Sequence, residues 1–346
     1  LYCLNVLMFL HPDYIRKRKK NYTNHTAMFK NYFKIGCRNL GRSKGYSFIN
    51  IGGLAIGMAV ALVIGLWMHD ELTYNHYHTK HEDLAQVMQN QTFEGEVQTW
   101  ESQARELAPV LRDEYGTYFD EVITSTFIND LVLRKDDKAI NKTGYFMEPS
   151  APEMFSLKMI SGTRDGLKEL NSIMLSESTA KAFFGDDDPM GEIVQLGESY
   201  TVTVTGIFKD LPENTTLSNM KFLAPWKLAE TTLPDWIGWG NSWFQTLVQV
   251  REGADMAEVS KFIQDAKLKH VDEGDARFKP ELFLQPMDKM HLYSEFENGQ
   301  NVGGRIRYVW MFGIIGTFVL VLACINFMNL STARSEKRSK EIGVRK

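Results

Sequence analysis

Two stretches without a single charged residue, Ser47 to Met68 and Tyr308 to Ala333, constrain this chain more than any other feature. A helix rises about 1.5 Å per residue, so roughly 20 apolar residues cross the hydrocarbon of a bilayer. Both stretches are long enough. The first does not have the form of a secretion signal, because its apolar run passes into Trp67, Met68 and His69 instead of a small-residue cleavage site. The expectation is a pair of transmembrane helices at 47–68 and 308–330.

The charges orient them. Between His69 and Arg307 lie 23 basic and 40 acidic residues, a net of -17, whereas the two flanks together carry +13 and the whole chain -4. Lys30, Lys34, Arg38, Arg42 and Lys44 precede the first apolar run; Arg334, Lys337, Arg338 and Lys340 follow the second. Basic residues beside a span favour the cytoplasmic side. Both flanks are therefore expected in the cytoplasm and residues 69–307 outside the membrane. The basic clusters lie against lipid, not on a soluble face, so no nucleic-acid partner is expected. Cys3, Cys37 and Cys324 all fall outside 69–307, so the exported part is expected to be stable without disulfides. At its size it can bury an adequate core unaided.

The ends of the chain are less regular. Residues 1–27 begin with an apolar stretch too short to span and continue into RKRKK; they read as an artefact or a disordered tail, with Met28 as the functional start. Residues 28–46 set Phe29, Tyr32, Phe33 and Leu40 near one helical face and Lys30, Lys34 and Arg38 on another, the pattern of an amphipathic helix lying in the membrane interface. Residues 331–346 end in EIGVRK, which has no stop signal and reads as the middle of an element, as in a fragment of a longer chain.

The segment between the runs alternates strand and helix. Strands are expected at 85–93, 121–128, 200–208, 242–250 and 282–287, with a hairpin over 131–147 turning at Lys135 to Lys138. Helices are expected at 102–115, at 176–185 with a Ser/Thr cap and a closing Gly185, and at 255–271 with Met256, Val259, Phe262, Ile263 and Ala266 on one face. This is a mixed α+β domain without an internal repeat.

Little in it points to catalysis. There is no phosphate-cradling Gly-x-x-x-x-Gly-Lys-Ser/Thr loop, no Gly-x-Ser-x-Gly elbow and no His-Glu-x-x-His pair. No enzymatic activity of its own and no cofactor are expected. His76, His78 and His81 have the composition of a metal site, but no cysteine or further histidine accompanies them, and they read as solvated stalk residues. Asp186, Asp187 and Asp188 lack the alternating oxygen ligands of a calcium loop and read as the turn that closes a helix. Trp226, Trp236, Trp239 and Trp243 read as aromatic core.

The apolar runs carry packing information. Gly53, Gly57, Ala61 and Gly65 recur every four residues, a smooth stripe that lets another helix backbone approach closely. Asn326 and Asn329 are polar groups expected to hydrogen-bond to a neighbouring helix.

With these residues in view, the chain resembles the FtsX-like permeases that carry a MacB-type periplasmic core domain. RNLGRSKGYSFINIGGLAIG (38–57) is similar to their entry into the first span, NSIMLSESTAKAFFGDDDPMG (171–191) followed by VTGIFKDLPENT (204–215) to the middle of their periplasmic domain, and ACINFMNLSTARSEKRSKEIGVRK (323–346) to their second span and the cytoplasmic segment after it. The resemblance implies the membrane subunit of an ABC transporter in a bacterial inner membrane, several times spanning. Its expected partners are a separate cytoplasmic ABC ATPase, membrane lipid, a second permease half in a dimer and a periplasmic adaptor. It implies ATP-driven movement passed to a periplasmic domain to export drugs, peptides or lipoproteins, with Porter-like parts at 84–145 and 222–296 around a Sabre-like part at 146–221. It also implies that Glu341, Ile342, Gly343, Val344 and Arg345 begin the element that docks on the ATPase. The rival from another class is a two-span sensor; its signalling helix would carry an apolar heptad after the second span, and RSEKRSKEIGVRK has none.

Overall fold

The computed structural model describes residues 44–343 together with 29, 30, 33, 34 and 38; at 44, 46, 47, 50, 330, 331 and 333–343 the description is of the backbone. The expected interfacial helix therefore lies largely outside the described residues. Where described, Phe29, Lys30, Phe33, Lys34 and Arg38 are helical and exposed.

Helix α1 (Lys44–Leu72) contains the first apolar run and α9 (Ile306–Gly343) the second. The spans sit at Ile51–Leu72, with mean hydropathy 2.2, and Ile306–Asn329, with 2.3. Protein buries 6% and 17% of their most apolar windows. The core helix of a soluble protein would be mostly buried, so these are surfaces for lipid or for other membrane helices.

The chain divides into two compact units: residues 1–62 with 316–346, and 63–315. In the first, the two helices meet on the small-residue stripe. A Cβ at Gly57 would lie 2.5 Å from the Ala323 Cβ, and one at Gly53 would lie 3.1 Å from the Asn326 amide nitrogen. Only a residue without a side chain permits that approach.

The second unit is an α+β domain whose main sheet has two parts, joined where Ser125 pairs with Met147. One part is a four-stranded antiparallel sheet of β1 (Leu84–Phe93), β3 (Phe119–Ser125), β11 (Gln245–Val250) and β12 (Glu281–Pro286), in the order β3-β11-β1-β12. Helix α2 (Leu107–Tyr115) follows β1 and helix α6 (Met256–Ile263) follows β11, giving β-α-β and β-α-β halves interleaved as a ferredoxin-like split βαβ motif. Leu107, Leu111, Val248, Val259 and Ile263 close its core. Strand β2 (Glu96–Trp100) adds a hairpin to β1 through Gly95 at φ 92.

The other part is inserted between β3 and β11. Its strands β4 (Asn129–Lys135), β5 (Lys138–Met147), β7 (Ser172–Ser176), β8 (Ile193–Leu196), β9 (Tyr200–Phe208) and β10 (Phe222–Pro225) pair in the order β10-β7-β9-β8-β4-β5. β10 then pairs with β5, so the ring closes and its strands have no free edge. Phe146, Ile173, Leu175, Val202, Val204 and Phe222 fill its interior. At Gly144, Phe222 comes so close that a Cβ would lie 2.3 Å from its carbonyl oxygen, which explains a glycine inside β5. Helix α4 (Glu177–Phe184) caps as expected: the Ser176 hydroxyl accepts from the Thr179 N–H and Gly185 stands at φ 69. The ring takes β4, most of β5 and β10 from outside 146–221.

Other expectations need correction. Helix α2 starts at Leu107, not at 102: Pro109 is tolerated only in a first turn, and Gln103 instead bridges to Phe244. Helix α6 ends at Ile263, and the Gln264 carbonyl accepts from the Leu282 N–H. Of the tryptophans, Trp226 is core beside Ile237 and Phe244, but Trp236 and Trp243 are exposed and meet edge to face, and Trp239 stacks on His270. Asp188 forms the expected turn, accepting from the Met190 N–H.

Candidate functional site

The sheet order brings the domain's entry and exit segments together. β1 and β12 pair with Ala85 opposite Pro286, so the chain enters the domain and leaves it side by side. The segment after α1, residues 73–83, thereby lies against α8 (Met287–Met290) and the stretch leading to the hairpin of β13 (Glu295–Glu297) and β14 (Gln300–Gly303) ahead of α9. This seam is dense in polar side chains.

Asn75 is its centre. It is fully buried and stands at φ 68, a left-handed conformation that asparagine tolerates better than other non-glycine residues. Its side-chain oxygen accepts from the Thr216 N–H at 2.7 Å and the Thr215 hydroxyl at 3.0 Å. Its amide donates to the Met287 carbonyl at 2.8 Å and the Thr216 hydroxyl at 3.0 Å. One residue thus ties the exit from α1 to the loop after β9 and to α8.

Nearby, the Glu71 carboxylate at the end of α1 accepts from His291 at 2.6 Å, and Tyr74 stacks flat on the same imidazole at 3.7 Å. Trp67 meets Phe312 edge to face, and Met68 packs over Gly313.

The histidine cluster divides. His78 is fully buried, contrary to a solvated stalk: Nδ1 faces the Phe155 carbonyl at 2.7 Å and Nε2 the Thr215 hydroxyl at 3.0 Å. A carbonyl only accepts, so Nδ1 carries the proton. Burial pushes the imidazole below its ordinary range, against the opposing pull of the Phe155 carbonyl. His81 instead meets Asp288, with Nδ1 2.9 Å from Oδ1, and His76 stacks on His81 with ring centres 4.2 Å apart.

A cleft of about 440 Å³ lies elsewhere, between the split βαβ part and the ring. Arg105, Arg112, Glu148, Lys168 and Trp226 line it, and Arg112 and Glu148 form a two-pronged ion pair across it.

Of the packing residues expected from sequence, Gly53, Gly57 and Asn326 come together; Ala61 is half-buried, nothing lies within 4 Å of a Cβ at Gly65, and Asn329 is exposed. Glu341, Ile342 and Gly343 close α9, while the side chains of the first two, and Val344 and Arg345 entirely, lie outside the described residues. Asn75, Glu71, His291 and Asp288 were not singled out from sequence. The one available signal was Asn75, a left-handed-tolerant residue in a polar turn directly after a span.

Residues 47–266, more than half of the chain, match the MacB-like periplasmic core domain family. Among solved structures, a domain of a permease protein from Porphyromonas gingivalis is 24% identical with a TM-score of 0.51, over 60% of this chain and 91% of that one. The periplasmic region of MacB from Actinobacillus actinomycetemcomitans is 15% identical with a TM-score of 0.42, over 60% and 90%. The extracellular domain of the ABC-type transporter YknZ from Gram-positive bacteria is 17% identical with a TM-score of 0.41, over 58% and 99%. No curated protein sequence matches significantly.

Proposed function

The chain belongs to the MacB-like periplasmic core domain family of ABC-transporter permeases, and on that premise we propose that it transmits ATP-driven movement from a cytoplasmic ATPase, through its two apolar helices, to an exported domain. The family pairs with an ATPase, which supplies the hydrolysis; this chain supplies the mechanical link. Its cytoplasmic flanks lie at the inner membrane, Glu341 to Arg345 dock on the ATPase, a second permease half completes the dimer, and substrate moves on the outer side with or without a periplasmic adaptor. The Porter-like parts lie at 84–145 and 222–296, around a Sabre-like part at 146–221.

The observation that carries this reading is the seam. Paired strands β1 and β12 hold entry and exit together, and the Asn75 and Glu71–His291 contacts bind the flanking segments to the same body. These contacts lie within 63–315 and support a reading in which the entry and exit segments move with the domain instead of stretching as linkers.

Reporter insertions test the orientation on which this depends. Phosphatase inserted at Gly197, in the turn between β8 and β9, is expected to be active, and phosphatase fused after Lys346 inactive. The reverse pattern would overturn the reading.

A further inference from the structure

We propose that His76, His81 and Asp288 form a binding site for a divalent transition ion of the zinc class. The three residues come from the two segments that the seam joins, 207 positions apart between His81 and Asp288. His81 Nδ1 lies 2.9 Å from Asp288 Oδ1 and 3.1 Å from Oδ2, and one ligand atom from each of the three residues lies within 4.8 Å of the other two. A tetrahedral ion with bonds of about 2.0–2.1 Å holds its ligand atoms about 3.3 Å apart. The His81–Asp288 pair is therefore already near that spacing. His76 is exposed, and a side-chain rotation that opens its stack on His81 brings its ligand atom, already within 4.8 Å of the other two, to that spacing.

The donor set selects the ion. Two imidazoles and one carboxylate suit zinc, cobalt, nickel or copper, whereas calcium and magnesium take oxygen ligands. Three protein ligands leave a coordination position for water. The side chains of His81 and Asp288 are 21% and 30% exposed, so an ion enters from solvent without opening the fold. His78 is no part of the site, because both its ring nitrogens already face partners, and His291, bonded to Glu71, lies outside the cluster. An ion held there clips the segment leaving α1 to α8, reinforcing the junction that Asn75 makes a few residues away. The site stands independently of any transport role.

The test uses the full chain in detergent or nanodiscs, without an oligohistidine tag, and Zn²⁺ as probe. One Zn²⁺ per chain is expected, with Co²⁺ giving the visible absorption of a low-coordinate site. His76→Ala and Asp288→Asn should each weaken binding by at least about tenfold, the loss that even an outer-shell change produces. His69→Ala should leave it unchanged. Amide exchange should slow across 73–83 and 287–291 on adding Zn²⁺ in the parent chain only. His76 is exposed and asparagine keeps the Asp288 shape, so unchanged thermal melts are expected to confirm that both variants fold. Absence of stoichiometric uptake, equal affinity in His76→Ala, or equal uptake of Ca²⁺ would each overturn the proposal.

Discussion

Lys267 offers a test of the packing that needs no partner. It follows α6, is 2% exposed, and its ammonium donates to Gln89 Oε1 and Ser242 Oγ, both at 2.8 Å. Among the described residues no carboxylate is bonded to it; burial pushes its pKa down from 10.5 to about 8, with Asp275 pulling the other way. The folded protein thus releases this proton more readily than the unfolded chain. Between about pH 8 and 10.5 the unfolded state holds up to one proton more, and stability attributable to Lys267 rises with pH by up to about 1.4 kcal/mol per unit. Below pH 8 the buried charge costs the fold about 3 kcal/mol, the whole of the drop from 10.5 to about 8. Lys267→Met removes that cost but leaves Gln89 Oε1 without its donor, which costs about 1–3 kcal/mol. At pH 7 the two nearly cancel. The variant should therefore melt close to the parent at pH 7 and below it at pH 10. Tryptophan fluorescence melts of both proteins from pH 7 to 10 measure this, and the comparison removes groups common to both, such as Tyr145, whose pKa burial raises to about 12. Parallel pH profiles would refute a buried, unpaired ammonium at this position.

Two further substitutions probe the seam and the helix pair. Asn75→Ala strands the Met287 carbonyl and the Thr216 N–H, leaves the Thr215 hydroxyl with His78 alone and forces alanine to positive φ, an expected loss of about 3–5 kcal/mol in chemical unfolding; Asn75→Gly should recover about 1 kcal/mol by relieving the backbone alone, and indistinguishable variants would contradict this. Gly57→Val overpacks the contact with Ala323 and should destabilise by about 1–3 kcal/mol in detergent unfolding, whereas Gly65→Val, with nothing within 4 Å, should be neutral; equal effects would remove the distinction.

Much of the architecture was legible because its signals are local. An uncharged run of helix length stands out whatever follows it, and the apolar helices expected at 47–68 and 308–330 have their candidate spans at 51–72 and 306–329. Ser176 and Gly185 bracket a helix by cap chemistry, and strict alternation over 200–208 declares a strand. What escaped depends on pairing across the chain. β6 (Met159–Gly162), β8 and β10 are four residues each, too short for a period to register. The parallel pairing of β10 with β5 that closes the ring leaves no mark on either strand alone. For the same reason His78 reads like its neighbours until Phe155 and Thr215 enclose it, and the partner that joins His76 and His81 is an aspartate on a distant helix. The stripe of small residues was legible as a repeat, but which of its members meets the second helix depended on where the helices cross.

On the proposed function a cytoplasmic ATPase works through this chain. The most direct measurement is ATP turnover by the partner ATPase in nanodiscs containing the native permease or its Ile342→Asp variant. A buried, unpaired charge at a docking contact costs several kcal/mol. The account expects the native permease to co-purify with the ATPase and stimulate turnover. It expects the variant to insert normally, with an unchanged melt of the outer domain, yet to lose both co-purification and stimulation. Equal binding and turnover with the variant would contradict the assigned docking segment, and an ATPase indifferent to the native permease would contradict the function itself.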